Sequence, residues 1–314
     1  MPDKLVIVTR KTPLEELIQR LGTRSQAKFY LEQEAARGGS GFASYEREDA
    51  AYARSRERLS RALPGKVRTQ WIEREFLPTF TFGPQDLIVT LGADGLVVNV
   101  AKYASGLPIL AFLPEGVASE SQLAPHPVSQ AAALLARALA GSLASRSLTM
   151  ARATLADGRQ LHAVNELFIG ARTHVSARYQ LRIGEQAELQ SSSGVLVSTG
   201  AGSTGWLRAL CAGAAGISGE PHACQFPAES EKLVYAVREP WPSKTTGASL
   251  VYGELESGQT LELVSQMPTG GVIFSDGVES DFLPFESGAV VRITVADQKV
   301  QLLGERKASL LSSR

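Results

Sequence analysis

The residues of this chain best placed to do chemistry begin with Asp94, in the turn Gly92-Ala93-Asp94-Gly95. An apolar run of buried-strand length, residues 86–91, leads into the turn, and Leu96, Val97, Val100 and Ala101 follow it at helical spacing. Glycines at 92 and 95 let backbone approach a phosphate with no Cβ in the way, and the start of a helix favours an anion. The carboxylate between them can accept a proton from an attacking hydroxyl. The same residues equally read as an Asp-Gly turn whose aspartate caps the helix that begins near Leu96. A second constellation is Gly200-Ala201-Gly202-Ser203-Thr204-Gly205, between a strand-like stretch ending at Thr199 and a helical one from Trp206. It satisfies G-x-G-x-x-G. The acidic residue that a dinucleotide fold needs about 20 residues on falls at Glu220, inside a Ser-Gly-Glu-Pro turn rather than at a strand end, which sets a Rossmann dehydrogenase aside. What remains is a loop able to donate backbone and hydroxyl hydrogen bonds to phosphate or ribose, or a helix-entry turn capped by Ser203 or Thr204. The third is Asn165-Glu166, two polar side chains inside the apolar run 161–169. Such a pair meets a ligand or a buried partner, or else faces solvent at a strand end.

The elements that must position these residues follow from periodicity. Residues 4–9 read as a strand and the stretch after Pro13 as a helix; 29–62 reads as two solvated helices around the flexible Gly38-Gly39-Ser40-Gly41, and 67–72 alternates like a strand. Residues 86–91, the helix after Gly95 and residues 107–112 form a strand–helix–strand unit, the signature of a parallel sheet. A further helix spans 128–140. From about Leu148 the texture changes to short strands: 148–156, an Asp157-Gly158 hairpin turn, 160–169, 176–183, 194–199, 232–237, 261–265, 272–274 and 290–295. The division expected is an α/β nucleotide-binding domain over 1–147, a β-rich domain over 148–290 and a C-terminal segment over 291–314.

Composition narrows the class. With 314 residues, 44% apolar and 20% charged, the chain is long enough for two cores and typical of globular proteins. Lysine plus arginine and aspartate plus glutamate are 32 each, so no net field draws nucleic acid or an anionic membrane. The first ten residues hold only a short apolar run among charges, too short for a signal or a span, and the expected address is cytoplasmic. Cys211 and Cys224, with His222 beside the second, fall short of a zinc site and read as buried or idle thiols.

Three blocks in order, residues 86–95, Asn165-Glu-Leu-Phe-Ile-Gly170 and Gly194-Val-Leu-Val-Ser-Thr-Gly-Ala-Gly-Ser-Thr204, resemble the NAD kinases, most of all their mitochondrial-type branch through Ser192-Ser193-Gly194 and Val237-Arg238-Glu239-Pro240. The resemblance covers about residues 84–295. It implies a Rossmann-like N-terminal lobe, a β-sandwich C-terminal lobe, a last segment packing back toward the first, ATP with a divalent cation such as Mg2+ carried by the nucleotide, NAD as acceptor, and a homodimer or homotetramer. Carried over, Asp94 is the base or orienting group for the adenosine 2′-hydroxyl of NAD. Gly92, Ala93 and Gly95 lie along phosphate with Gly202, Ser203 and Thr204, while Asn165, Glu166, Thr199 and Asp276 belong to the NAD site. Three positions depart from the family pattern. Ala93 stands where the family has glycine, which would cost about 1 kcal/mol were a positive φ required there. Ala111-Phe112-Leu113 replaces a Gly-x-Asn that touches the dinucleotide, and Trp206 replaces a tyrosine. A kinase of the same fold acting on a lipid or sugar alcohol, or a non-catalytic NAD(P)-binding protein, are the alternatives.

Overall fold

A computed structural model describes residues 2–116 and 121–304. The chain falls into two compact units, Met1–Arg146 with the chain from Gln301, and Ser147–Val300.

The first unit is α/β: β1 (Lys4–Thr9), α1 (Pro13–Leu21), α2 (Arg24–Ala35), α3 (Phe42–Ala62), β2 (Arg68–Glu73), β3 (Leu87–Leu91), α4 (Asp94–Ala101), β4 (Pro108–Leu113), β5 (His126–Pro127) and α5 (Ala131–Leu139). β1 pairs in parallel with β2 on one side and β3 on the other, and β4 continues the sheet beyond β3. This order reverses direction between β1 and β3, and in such sheets ligands gather at the carboxyl ends of the strands flanking the reversal. Local chemistry sets the boundaries. Thr12 and Glu15 form a reciprocal capping box at the start of α1, and Gly22, with φ +89°, ends that helix. One face of the sheet, Leu5, Ile7, Val89, Leu91, Leu110 and Phe112, buries against α3 and α5. The sequence reading of α3 as a solvated helix is therefore corrected, because Tyr52 and Leu59, seven apart, put one stripe of it into the core while its charged residues keep the rest wet.

The second unit is antiparallel: β6 (Ala144–Leu155), β7 (Gln160–Ala163), β8 (Glu166–Ala171), β9 (Ala177–Ile183), β10 (Gln186–Ser192), β11 (Val195–Ser198), α6 (Trp206–Ser218), β12 (Lys232–Val237), β13 (Tyr252–Glu256), β14 (Leu261–Ser265), β15 (Gly271–Ser275), β16 (Val278–Pro284) and β17 (Val290–Gly304). One sheet runs β13-β12-β11-β8-β15-β16; the other holds β10-β9-β14-β17, with β6 beside β17 and β7 beside β6. Their inner faces interdigitate in one core that includes Leu167, Val197, Tyr235 and Ile273 from the first sheet and Tyr179, Leu181, Leu263 and Ile293 from the second, the packing of a β-sandwich. α6 lies on the outer face of the first sheet through Leu207 and Cys211 against Leu196, Val234 and Ala236. Beyond Val300 the last strand enters the first unit, where Gln301 and Leu302 pair with Pro108 and Ile109. Among the described residues no helix is long and apolar enough to cross a membrane.

Candidate functional site

In the first unit the turn after β3 is shaped by its neighbours. The Gly92 amide donates to Phe112 O at 2.9 Å. A Cβ at Gly92 would come within 2.8 Å of Leu96 Cδ2, so glycine there lets α4 fold back tightly on the strand. Ala93 has φ −78° and ψ −179°, extended backbone that alanine adopts freely, and the conditional strain at that position does not arise. Asp94 does not cap its own helix. Its Oδ1 accepts the Leu123 amide at 3.0 Å, the Ala124 amide at 3.1 Å and the Ser121 hydroxyl, and its Oδ2 accepts the Gln122 amide at 3.0 Å. The carboxylate is thus held rigidly, with Oδ2 keeping the larger share of free acceptor capacity. At Gly95 the reverse of Gly92 holds. Among the described residues a Cβ there would meet nothing within 4 Å, and the residue is exposed at a helix start that none of their side chains caps. Tyr52 of α3 backs the turn, donating to Leu91 O at 3.0 Å and accepting the Arg10 amide at 3.0 Å. The Arg10 guanidinium lies 5.3 Å from the Tyr52 ring. Two cavities of about 480 Å³ each share Arg10 and Tyr52, one also lined by Thr12 and Arg56, the other by Arg47 and Glu115.

In the second unit the organising group is Asp276. It sits with Gly277 in the two-residue turn between β15 and β16, both at positive φ, +54° and +70°, the backbone of a type I′ hairpin. Its Oδ1 accepts the amides of Asn165 at 2.7 Å and Glu166 at 3.3 Å, its Oδ2 accepts the amide of Val164 at 3.1 Å, and its own amide donates to Glu166 O at 3.0 Å. These bonds replace a ladder at Val164 and Asn165. The single strand expected over 160–169 is therefore two, β7 and β8, which belong to different sheets.

Thr199 and the Gly200–Gly205 loop lock onto the same break. Thr199 donates its hydroxyl to Val164 O at 2.5 Å and its amide to Asn165 O at 2.9 Å, and accepts the Gly202 amide at 3.3 Å. A Cβ at Gly202 would lie 2.1 Å from Asn165 O, so only glycine fits. Ser203 is fully buried, its hydroxyl 2.7 Å from Gly200 O, and it accepts the Phe226 amide at 3.2 Å. Thr204 and Gly205 face outward, and neither Ser203 nor Thr204 caps α6. Glu166 is partly buried. Burial first, and then the negative charge of Asp276, push its carboxyl up to about 7. Alternation along β8 places Glu166 on the outer face with Phe168, whose ring stacks on Trp206 at 5.6 Å and meets Phe274 at 4.8 Å. The Arg238 guanidinium lies 5.1 Å from the Trp206 ring.

Two solved structures share this architecture. An NAD kinase from Archaeoglobus fulgidus, in complex with ATP, superposes with a TM-score of 0.60 at 15% identity, covering 96% of this chain and 94% of that one. A yeast NADH kinase complexed with NADH superposes with a TM-score of 0.62 at 12% identity, covering 100% of this chain and 91% of that one. The chain has the NAD kinase fold. No family model matches it, and no curated protein does.

Within this fold the residues singled out in the sequence form two groups. Gly92, Ala93, Asp94 and Gly95 make one turn of the first unit, while Asn165, Glu166, Thr199, Gly202, Ser203, Thr204 and Asp276 are brought together in the second. Sequence reasoning passed over Ser121, Tyr52 and Arg10. Tyr52 carried a signal, an aromatic on a polar helix, whereas Ser121 carried none. The two cysteines are corrected: Cys211 of α6 and Cys224 are bonded to each other, with Cα atoms 6.4 Å apart, because the chain after α6 doubles back along the helix.

Proposed function

We propose that this protein is an NAD kinase, transferring the γ-phosphoryl group of ATP to the adenosine 2′-hydroxyl of NAD. The reading rests on the turn that follows β3. There a rigidly held carboxylate, Asp94, adjoins Gly95, a glycine that no contact among the described residues requires. A glycine without internal reason is explained by a ligand approaching its backbone, and the uncapped start of α4 offers amides to a phosphate. The archaeal neighbour is complexed with ATP and the yeast neighbour with NADH, which supports nucleotides as the ligands.

In this reading Asp94 orients the acceptor hydroxyl and takes its proton at Oδ2. In the second unit, Asn165 and Glu166 are the polar groups suited to a ribose, and Trp206 offers a ring face to a base. Among the described residues no cluster of three or more His, Cys, Asp or Glu could hold a metal ion. A divalent cation carried by the nucleotide would neutralise charge on its phosphates. The protein's contribution is positioning, which accounts for most of the rate in phosphoryl transfer.

The test is direct. Purified protein with ATP, Mg2+ and NAD should form NADP, and Asp94→Asn, which can keep an oxygen toward the Leu123 and Ala124 amides but loses the acceptor at Oδ2, should lower kcat by about 10²–10⁴-fold. Stabilisation by NAD with no NADP formed would replace the reading with a binding protein. ATP turnover that appears only with a sugar or lipid alcohol would move it to another acceptor.

A further inference from the structure

The Gly200–Gly205 loop is shaped from behind by a segment that belongs to no helix or strand. A Cβ at Gly200 would lie 2.0 Å from Pro227 O, and the Ser203 side chain is engaged with the backbone of Phe226. Downstream, Pro227 and Ala228 are anchored, since Pro227 O accepts the Ser230 amide and Ala228 O accepts the Thr149 amide. Upstream, between the end of α6 at Ser218 and Phe226, the attachment is covalent. Cys224, two residues before Phe226, is bonded to Cys211 on the buried stripe of α6, and both pack with Leu196, Leu207 and Val234.

The bond is not sealed in that core. Both cysteines line an open, largely apolar groove of about 750 Å³ between α6, the segment 221–224 and the ends of β12 and β13. Their residual exposures are 8% and 7%. A disulfide whose two cysteines line a groove that a small thiol can enter is open to exchange.

We propose that Cys211–Cys224 is a reversible redox-modification site that sets how firmly the Gly200–Gly205 loop is held. The reagent class is a small dithiol. One of its thiolates attacks a cysteine sulfur, the S–S bond breaks, and the other cysteine leaves as a thiolate that takes up a proton. The reagent's second thiol then attacks the mixed disulfide, releasing the remaining cysteine and closing the reagent into its own disulfide. Two electrons and two protons pass to the protein. Once reduced, the segment 221–226 is held only by packing and by the Ser203–Phe226 hydrogen bonds, the Phe226 amide leaves the Ser203 hydroxyl more often, and Thr204 and Gly205 are presented less rigidly.

The experiment reads the loop itself and needs no substrate, so it answers whether or not the protein makes NADP. The full chain, oxidised with excess oxidised glutathione and desalted, is denatured, its thiols counted and its mass checked for bound glutathione; the same is done after reduction with dithiothreitol. Amide hydrogen exchange is then followed by mass spectrometry in both forms. The proposal expects no free thiol before reduction and two after it. It also expects exchange in peptides covering 200–206 and 224–228 to accelerate by about threefold or more on reduction, with peptides at 195–198 unchanged. A Cys211→Ser/Cys224→Ser variant should exchange at the faster rate with and without reductant; if that variant does not fold, Cys224→Ala serves in its place. Two thiols persisting after oxidation, or exchange in 200–206 that is the same in both forms, overturns it.

Discussion

Replacing Glu166 by glutamine should stabilise the second unit in alkaline solution and leave it unchanged in acid. Burial, and after it the charge of Asp276, raise this carboxyl from 4.5 to about 7 in the folded protein. A folded value above the unfolded one means that the native state holds the proton more tightly. The associated stability is fully present below about pH 4.5 and is lost as the pH rises through about 7. Taken whole, the shift corresponds to about 3 kcal/mol, at roughly 1.4 kcal/mol per pH unit. Glu166 keeps some solvent access, and screening there brings the expected loss to about 2 kcal/mol. Glutamine has the same shape and does not ionise, so the variant escapes that loss. The assay is urea unfolding at about pH 5 and about pH 8.5 in a Trp71→Phe background, which leaves Trp206 and Trp241 of the second unit as the fluorescent reporters. The stability difference between Glu166→Gln and its parent should grow by about 2 kcal/mol in favour of the variant between the two pH values. An equal difference at both would refute the account of Glu166 as a carboxyl desolvated beside Asp276.

Two glycine substitutions should separate architecture from ligand binding. Gly202→Ala drives a Cβ to 2.1 Å from Asn165 O, a backbone atom, and should cost about 3 kcal/mol or more in unfolding free energy; a cost under about 1 kcal/mol would show that the loop is not packed against Asn165. Gly95→Ala meets nothing within 4 Å and should raise stability slightly, by about 0.5 kcal/mol, yet raise the KM for ATP several-fold if phosphate passes over that backbone. An unchanged KM would remove Gly95 from the nucleotide site.

Much of this protein is legible in its sequence, because the legible parts are those where local pattern and burial agree. Residues 87–91 form a central strand buried on both faces, which fixes β3, the turn after it and the helix that follows. The Asp157-Gly158 turn and the strands with clear alternation are local in the same sense. Three strands of the sandwich that periodicity missed, β10, β13 and β16, all lie at sheet edges. An edge strand is wet along one side and is selected for polarity, so its sequence carries little strand signal.

The tertiary structure decided what depends on residues far apart in the chain. That Asp94 reaches across to Ser121 and the amides after it, rather than capping α4, follows from how the chain returns past β4. That Asp276 splits one apolar run into two strands follows from a hairpin more than a hundred residues later, whose left-handed turn aims a carboxylate at three amides. The pairing of Cys211 with Cys224 followed from the path after α6. Sequence alone determined which residues carry charge, hydroxyl or thiol and which stretches must be buried. Which of those groups meet, and therefore which are spent on holding the chain and which are left for a ligand, was set by packing, since hydrogen bonds and covalent bonds depend on distance in space rather than along the chain.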